Sequence, residues 1–300
     1  MSEATSSHRL PYGVAPPTFR LPDASHVGAV HLQVIDLQRS LSYYEQVLGL
    51  RAHGVTSTSV VLSADGDDRP LVTLNTKRGV APARRGALGL YHFAILLPAR
   101  SDLGRFASHL ASSGLRPGMA DHSVSEALYL WDPDGLGIEI YADRPRDGWR
   151  RHNRELEMTT DPLDIRSVIA AGGGEAWTRA PSGTTVGHVH LHVGDLEQGE
   201  AFYHRALGFD KTVWSYPGAL FMAAGGYHHH LGTNTWSQGP AASVDEARLL
   251  EWELVVPSAA DVEAALRNVR DAGYGIENRG KSIVVADPWG TRVRIRAASA

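Results

Sequence analysis

Histidine is the residue that stands out in this chain: 15 of its 300 residues are His. Neutral imidazole is a common ligand for divalent metals and exchanges protons near neutral pH. Three histidines, His188, His190 and His192, fall on alternate positions of GHVHLHV. In a strand this alternation sends them to one face, with Val189, Leu191 and Val193 on the other. A second run, YHHHLGTNTW over 227–236, holds three in succession, and His92 lies in the short apolar segment LYHFAILLP. In GIEIYAD the same alternation separates Glu139 and Tyr141 from Ile138 and Ile140. Imidazoles and a carboxylate on strands suit metal binding or proton transfer. With no cysteine, the chain cannot form disulfides, thiolate zinc sites, iron–sulfur clusters or a cysteine nucleophile.

The elements that must position these residues come from a duplication. HLQVIDLQRSLSYYEQVLGL (31–50) recurs as HLHVGDLEQGEAFYHRALGF (190–209), an offset of 159. The offset holds from Asp36 and Asp195 through Pro98 and Pro257 to Gly114 and Gly273, then falls to 155 at Asp132 and Asp287. Punctuation kept in register over such a length marks an internal repeat. Each copy divides into two modules that open with a short apolar strand. A helix follows, capped by Asp36 or Asp195 and stopped by Gly49 or Gly208. Three short strands complete the module. The fold class is therefore α+β: four βαβββ modules in two tandem copies forming cupped mixed sheets. The expected organisation is an arm (1–26), a first copy (27–145), a linker (146–185) with one short helix, and a second copy (186–300).

The formal charge of −4, with no basic run, argues against nucleic acid as a partner. No apolar stretch reaches the length of a membrane span. The start lacks the apolar core of a secretory signal, so a soluble cytoplasmic protein is expected.

The four modules, with their strand–Asp-Leu–helix–Tyr–Leu-Gly pattern, resemble the vicinal oxygen chelate superfamily of glyoxalase I, bleomycin- and fosfomycin-resistance proteins and extradiol dioxygenases. That resemblance implies paired modules cupping a divalent metal. Its ligand position seven residues before the helix Asp is His188 in module three and Ala29 in module one. The other positions are His92 and Glu139 in module two, and Glu251 and Arg294 in module four. Arginine does not ligate a divalent cation. Pairing modules two and three gives His92, Glu139 and His188, the two-histidine, one-carboxylate set of non-haem Fe(II) oxygenases. The rival pairs modules one and two and uses His31, two residues along the strand and roughly 6–7 Å from the expected place.

HSVSEALYLWDPDGLGIE (122–139) is similar to the extradiol dioxygenase signature, carried here by His122, Leu128, Tyr129, Asp132, Pro133, Gly135 and Glu139; Ala120 upstream departs from it. The resemblance, nearest to the catechol 2,3-dioxygenase branch, implies Fe(II), with Mn(II) as the alternative, and a small aromatic diol and O₂ as partners. A homo-oligomer is compatible with it. It also implies an acid–base histidine from the last strand of module three. Strand parity turns His228 and His230 toward the cup and His229 away; of the residues in this run, His230 is taken as the acid–base group and the choice among the three stays open. His122 and Tyr129 would orient the diol. Trp131, Trp214, Tyr216, Phe221 and Trp236 are candidate wall residues. Two other classes stay open: a glyoxalase-like isomerase, for which the extra metal ligand is missing, and a metal-free binding protein, which would not need the three ligands.

Overall fold

The computed structural model describes residues 12–279 and 282–298. Residues 1–11 of the expected arm (1–26) lie outside the described residues. Module one comprises β1 (His26–Val34), α1 (Leu37–Gln46), β2 (Arg51–His53), β3 (Ser59–Ser63) and β4 (Val72–Thr76). Module two comprises β5 (Gly89–Leu96), α2 (Arg100–Ser112), β6 (Gly118–Asp121), β7 (Ser125–Trp131) and β8 (Gly137–Asp143). The connection holds a small hairpin, β9 (Arg151–His152) and β10 (Glu155–Leu156), and the short helix α3 (Ile165–Ala171). Module three runs through β11 (Thr185–His192), α4 (Leu196–Gly199, continued by a π-helical turn over Glu200–Ala206), β12 (Asp210–Val213), β13 (Ala219–Ala223) and β14 (Leu231–Asn234). Module four has β15 (Arg248–Val256), α5 (Ala259–Asp271), β16 (Ile276–Arg279), β17 (Ser282–Ala286) and β18 (Arg292–Ala297). No helix among the described residues is long and apolar enough to cross a membrane.

The helices begin where side chains satisfy their free N–H groups. Asp36 accepts from the Arg39 N–H at 3.0 Å and Asp195 from the Gln198 N–H at 2.8 Å. In module two the helix starts at Arg100, and Asp102 reaches back to the Ala99 N–H at 3.0 Å. The strand faces that oppose the cup are apolar. Val189, Leu191, Val193, Phe93, Ile138 and Ile140 are buried and join Leu103, Phe106, Leu110, Phe202 and Tyr203 from the helices in one core. Each such side chain contributes about 1.5–3 kcal/mol on burial.

Sheet pairing crosses the sequence copies. One eight-stranded sheet has the order β12-β13-β14-β11-β5-β8-β7-β6, so modules three and two meet at the antiparallel β11–β5 pair. The other has the order β16-β17-β18-β15-β1-β4-β3-β2 and joins modules four and one. Within each sequence copy the two modules are tied differently. The Tyr44 hydroxyl donates to Asp132 at 3.2 Å, and its counterpart Tyr203 donates to Asp287 at 2.8 Å. Each of these aspartates also closes its Asp-Pro turn by accepting two backbone N–H groups. The repeated Tyr and Asp-Pro punctuation is thus the seam between successive modules.

Two irregularities shape the β11–β5 seam. The register passes from Val186–Ile95 to His188–Ala94, leaving Gly187 as an extra residue. A Cβ there would stand 1.8 Å from the Tyr141 hydroxyl oxygen, so only glycine fits. On β5, Tyr91 is the extra residue between the His190–His92 and Leu191–Leu90 pairs.

Candidate functional site

His92 on β5, Glu139 on β8 and His188 on β11 meet in the cup of the mixed sheet, with one ligand atom of each within 4.8 Å of the others. All three are buried. Glu139 Oε2 lies 3.0 Å from His92 Nε2 and 3.1 Å from His188 Nε2. Burial works against ionisation of Glu139, but His188 and His92 outweigh it and hold the carboxyl well below its usual range. Burial pushes His188 down to about 4 against the pull of Glu139. Near neutral pH this is a carboxylate beside neutral imidazole.

These residues fit a divalent metal. His92 Nε2 is buried without a hydrogen-bond partner, although Glu139 Oε2 is close, because the oxygen lies off the direction in which that nitrogen bonds. Ligand atoms about 2.1 Å from one metal and at right angles stand ~3.0 Å apart, which matches both observed separations. The His188 ring is held by stacking on His229 at 4.1 Å and Tyr141 at 4.9 Å; its Nδ1 is buried and unpartnered.

His31 lies in the other sheet, on β1, with Nε2 3.5 Å from Glu253 Oε1. Glu251 pairs there with Arg294, Nε to Oε1 at 2.8 Å, and Glu253 pairs with Arg296, also at 2.8 Å. The duplicated cup is therefore occupied by fixed ion pairs where the first has converging ligands.

Above the triad lies a cavity of about 320 Å³, at the small end of the ~300–1,000 Å³ typical of ligand pockets. His122 and Tyr129 both line it. The His122 Nδ1–H donates to the Thr159 carbonyl at 2.6 Å, so its Nε2 accepts the Tyr129 hydroxyl proton, also at 2.6 Å. Tyr129 then presents only lone pairs to a ligand. Burial and the nearby Glu139 raise its pKa well above 10, which keeps the phenol neutral.

The structure corrects the placement of the histidine run. His229 lines this cavity, whereas His230 lines a separate one. Strand parity fails because residues 227–230 form a bend and β14 begins only at Leu231. A hydrogen-bond chain fixes the His229 tautomer. Asp143 accepts the His228 Nε2–H at 3.0 Å, so His228 Nδ1 accepts the His229 Nδ1–H at 2.7 Å. The free nitrogen of His229 is then the lone pair on Nε2. Burial, followed by the neighbouring His188 and His228, pushes its pKa well below 6.5.

Among the aromatic candidates, Tyr216, Phe221 and Trp236 line the cavity. Trp131 points to solvent at 64 % exposure, and Trp214 packs against the core. Sequence reasoning missed His190 as a wall residue, although it shares the strand face with His188. Asn234 donates to its Nε2 at 2.9 Å. It also missed Met158, Thr159 and Thr160. These come from the connection read as a linker, which folds back over the cup. The Asp121–Asp161 bridge and the Thr160–Tyr216 hydrogen bond at 2.9 Å hold it there. No residue pattern in that segment announces the role.

Residues 25–140 and 185–295 match the model of the Glyoxalase/Bleomycin resistance protein/Dioxygenase superfamily. A catechol-2,3-dioxygenase of Bacillus subtilis (strain 168) is 42% identical over 269 residues, spanning 88% of this chain and 94% of the relative. A biphenyl-2,3-diol 1,2-dioxygenase of Rhodococcus globerulus is 28% identical over 47% of this chain and 80% of its own length. Among solved structures, a Bacillus subtilis protein described as a dioxygenase superposes with a TM-score of 0.67 at 13% identity, covering 94% of this chain and 87% of the other. A glyoxalase I variant from Zea mays superposes at 0.55 with 19% identity, covering 91% and 92%. At these identities the two superpositions speak to the fold.

Proposed function

The chain belongs to the Glyoxalase/Bleomycin resistance protein/Dioxygenase superfamily, and on that premise we propose that it is an extradiol dioxygenase. It opens a catechol-type aromatic diol with O₂ at an Fe(II) held by His92, Glu139 and His188. The observation that carries this reading is the convergence of two histidines and one glutamate beneath a cavity walled by His122, Tyr129 and His229. The 42% identical catechol-2,3-dioxygenase supports the same chemistry. Three protein ligands leave positions open at an octahedral centre, and Fe(II) there would supply Lewis acidity and electron density for O₂ chemistry. Mn(II) is the alternative ion for this ligand set.

The chain's own groups do the rest. His229 Nε2 takes a proton from a diol hydroxyl and returns it during ring opening. Asp143 and His228 keep that nitrogen unprotonated at rest and stabilise the imidazolium when it forms. Tyr129, its own proton committed to His122, accepts a hydrogen bond from the diol and fixes the ring's orientation. Phe221, Tyr216 and Trp236 form an aromatic wall for the ring, and the Met158–Thr160 segment limits water entry. Both atoms of O₂ end in the ring-opened product, so no external reductant is consumed.

The test loads the protein anaerobically with Fe(II), adds a panel of catechols, admits O₂ and records oxygen uptake and absorbance. Uptake with a yellow ring-opened product is expected. Tight iron binding without uptake on any catechol refutes the reading, and turnover of a thiohemiacetal without O₂ points to the isomerase class.

A further inference from the structure

His230, displaced from the catalytic cavity, belongs to a second one. This cavity of about 220 Å³ lies where the start of β1 and the end of β5 approach Thr185–Gly187. Five basic side chains line it: His26, Arg69, Arg146, His230 and Arg296. No Asp or Glu does.

The groups are set to donate. His230 is only 8 % exposed. Its Nδ1 accepts the Ala224 N–H at 3.1 Å, so the proton of the neutral ring sits on Nε2. Among the described residues no acceptor pairs with that N–H, and the residue lines the cavity. The Arg146 guanidinium stands over the Tyr227 ring at 5.1 Å and the Trp149 ring at 5.5 Å, with no carboxylate in salt-bridge range among the described residues. Arg69 and Arg296 are partly neutralised, by Asp67 at 3.0 Å and Glu253 at 2.8 Å. Burial pushes the His230 pKa down to about 3, and His228, His26 and Arg146 act in the same direction. A space lined by a fixed cation without a paired carboxylate, a buried N–H donor and, among the described residues, no acid favours a bound anion.

We propose that this cavity is a binding site for a small oxyanion, a carboxylate or phosphate, held by Arg146 and the His230 Nε2–H. The site is separate from the metal cup. The paired hydroxyls of Tyr141 and Tyr227, 2.7 Å apart, stand between the two, with Tyr141 packed on His188 and Tyr227 lining the anion cavity. The proposal does not depend on the ring-cleavage reading.

Calorimetric titration of the metal-loaded protein with inorganic phosphate, and separately with succinate, tests it. Saturable binding of at least one anion is expected, and the tighter one identifies the ligand class. Arg146→Gln and His230→Gln should each weaken binding about tenfold or more. Arg146→Lys, which keeps the charge but loses the planar fork and its stacking, should bind more weakly than wild type and more tightly than Arg146→Gln. The KM for diol, measured with the anion saturating, should not rise. Absence of saturable binding, equal affinity in the Gln variants, or strict competition between anion and diol would each overturn the proposal.

Discussion

Replacing His229 with glutamine separates proton transfer from everything else that residue does. The ring packs tilted against His188 at 4.1 Å and edge-on against Phe221 at 5.0 Å, and its Nδ1–H satisfies His228. Glutamine keeps similar bulk and an amide N–H for His228, so fold and metal site should persist. It has no basic nitrogen. General acid–base catalysis contributes about 10²–10⁴ in rate, which is ~3–5 kcal/mol of barrier. His229→Gln should therefore lose 10²–10⁴ in kcat, with iron content unchanged and Tm within a few degrees. His230→Gln, altering a residue outside the cup, should keep kcat within about twofold. Oxygen-electrode kinetics on iron-loaded protein, with metal quantified on the same samples, decides between them. A His229→Gln enzyme within threefold of wild type, or an equal loss in His230→Gln, refutes the assignment.

Three further outcomes follow from the geometry. Tyr129→Phe removes the acceptor and leaves His122 Nε2 without its donor. It should lower kcat/KM by about tenfold to a hundredfold, mainly through KM, with iron retained. The metal-free protein should lose stability as pH falls from about 6.5 to 4. The folded state refuses protons at His188, whose pKa of about 4 against 6.5 corresponds to ~3 kcal/mol. His190 and His229 act in the same direction. Asp132, pushed up to about 6 by burial, acts in the opposite sense over that window and offsets only part of the loss. Chemical denaturation across the range should show the slope, and a flat or inverted profile contradicts it. Gly187→Ala forces Tyr141 off the seam. A destabilisation of about 1–3 kcal/mol with weaker iron binding is expected, measured by urea midpoint and metal titration.

Much of this molecule was legible in sequence because its signals are local and repeated. Alternation placed Val189 and Leu191 in the core and His188 in the cup, and the Asp36 and Asp195 caps marked two helices. The pairing of the middle modules followed from the ligand positions that the family resemblance implies, where Arg294 and Ala29 could not complete a set; the rival through His31 stayed open in sequence, and the sheet order joins modules two and three. The structure adds that Arg294 already neutralises Glu251 in the duplicated cup. The failure at His229 and His230 is equally physical. Parity holds only inside a ladder, and the histidine run lies in the bend that precedes one. The wall formed by Met158–Thr160 comes from tertiary contacts with Asp121 and Tyr216, which no periodicity encodes.

The central claim is one metal per chain, held by ligands from two different sequence copies. Iron stoichiometry after anaerobic loading tests it most directly, in wild type, His188→Ala and His31→Ala. The account predicts one iron in wild type, none retained in His188→Ala, and full occupancy in His31→Ala. Loss of iron in His31→Ala with retention in His188→Ala would contradict it.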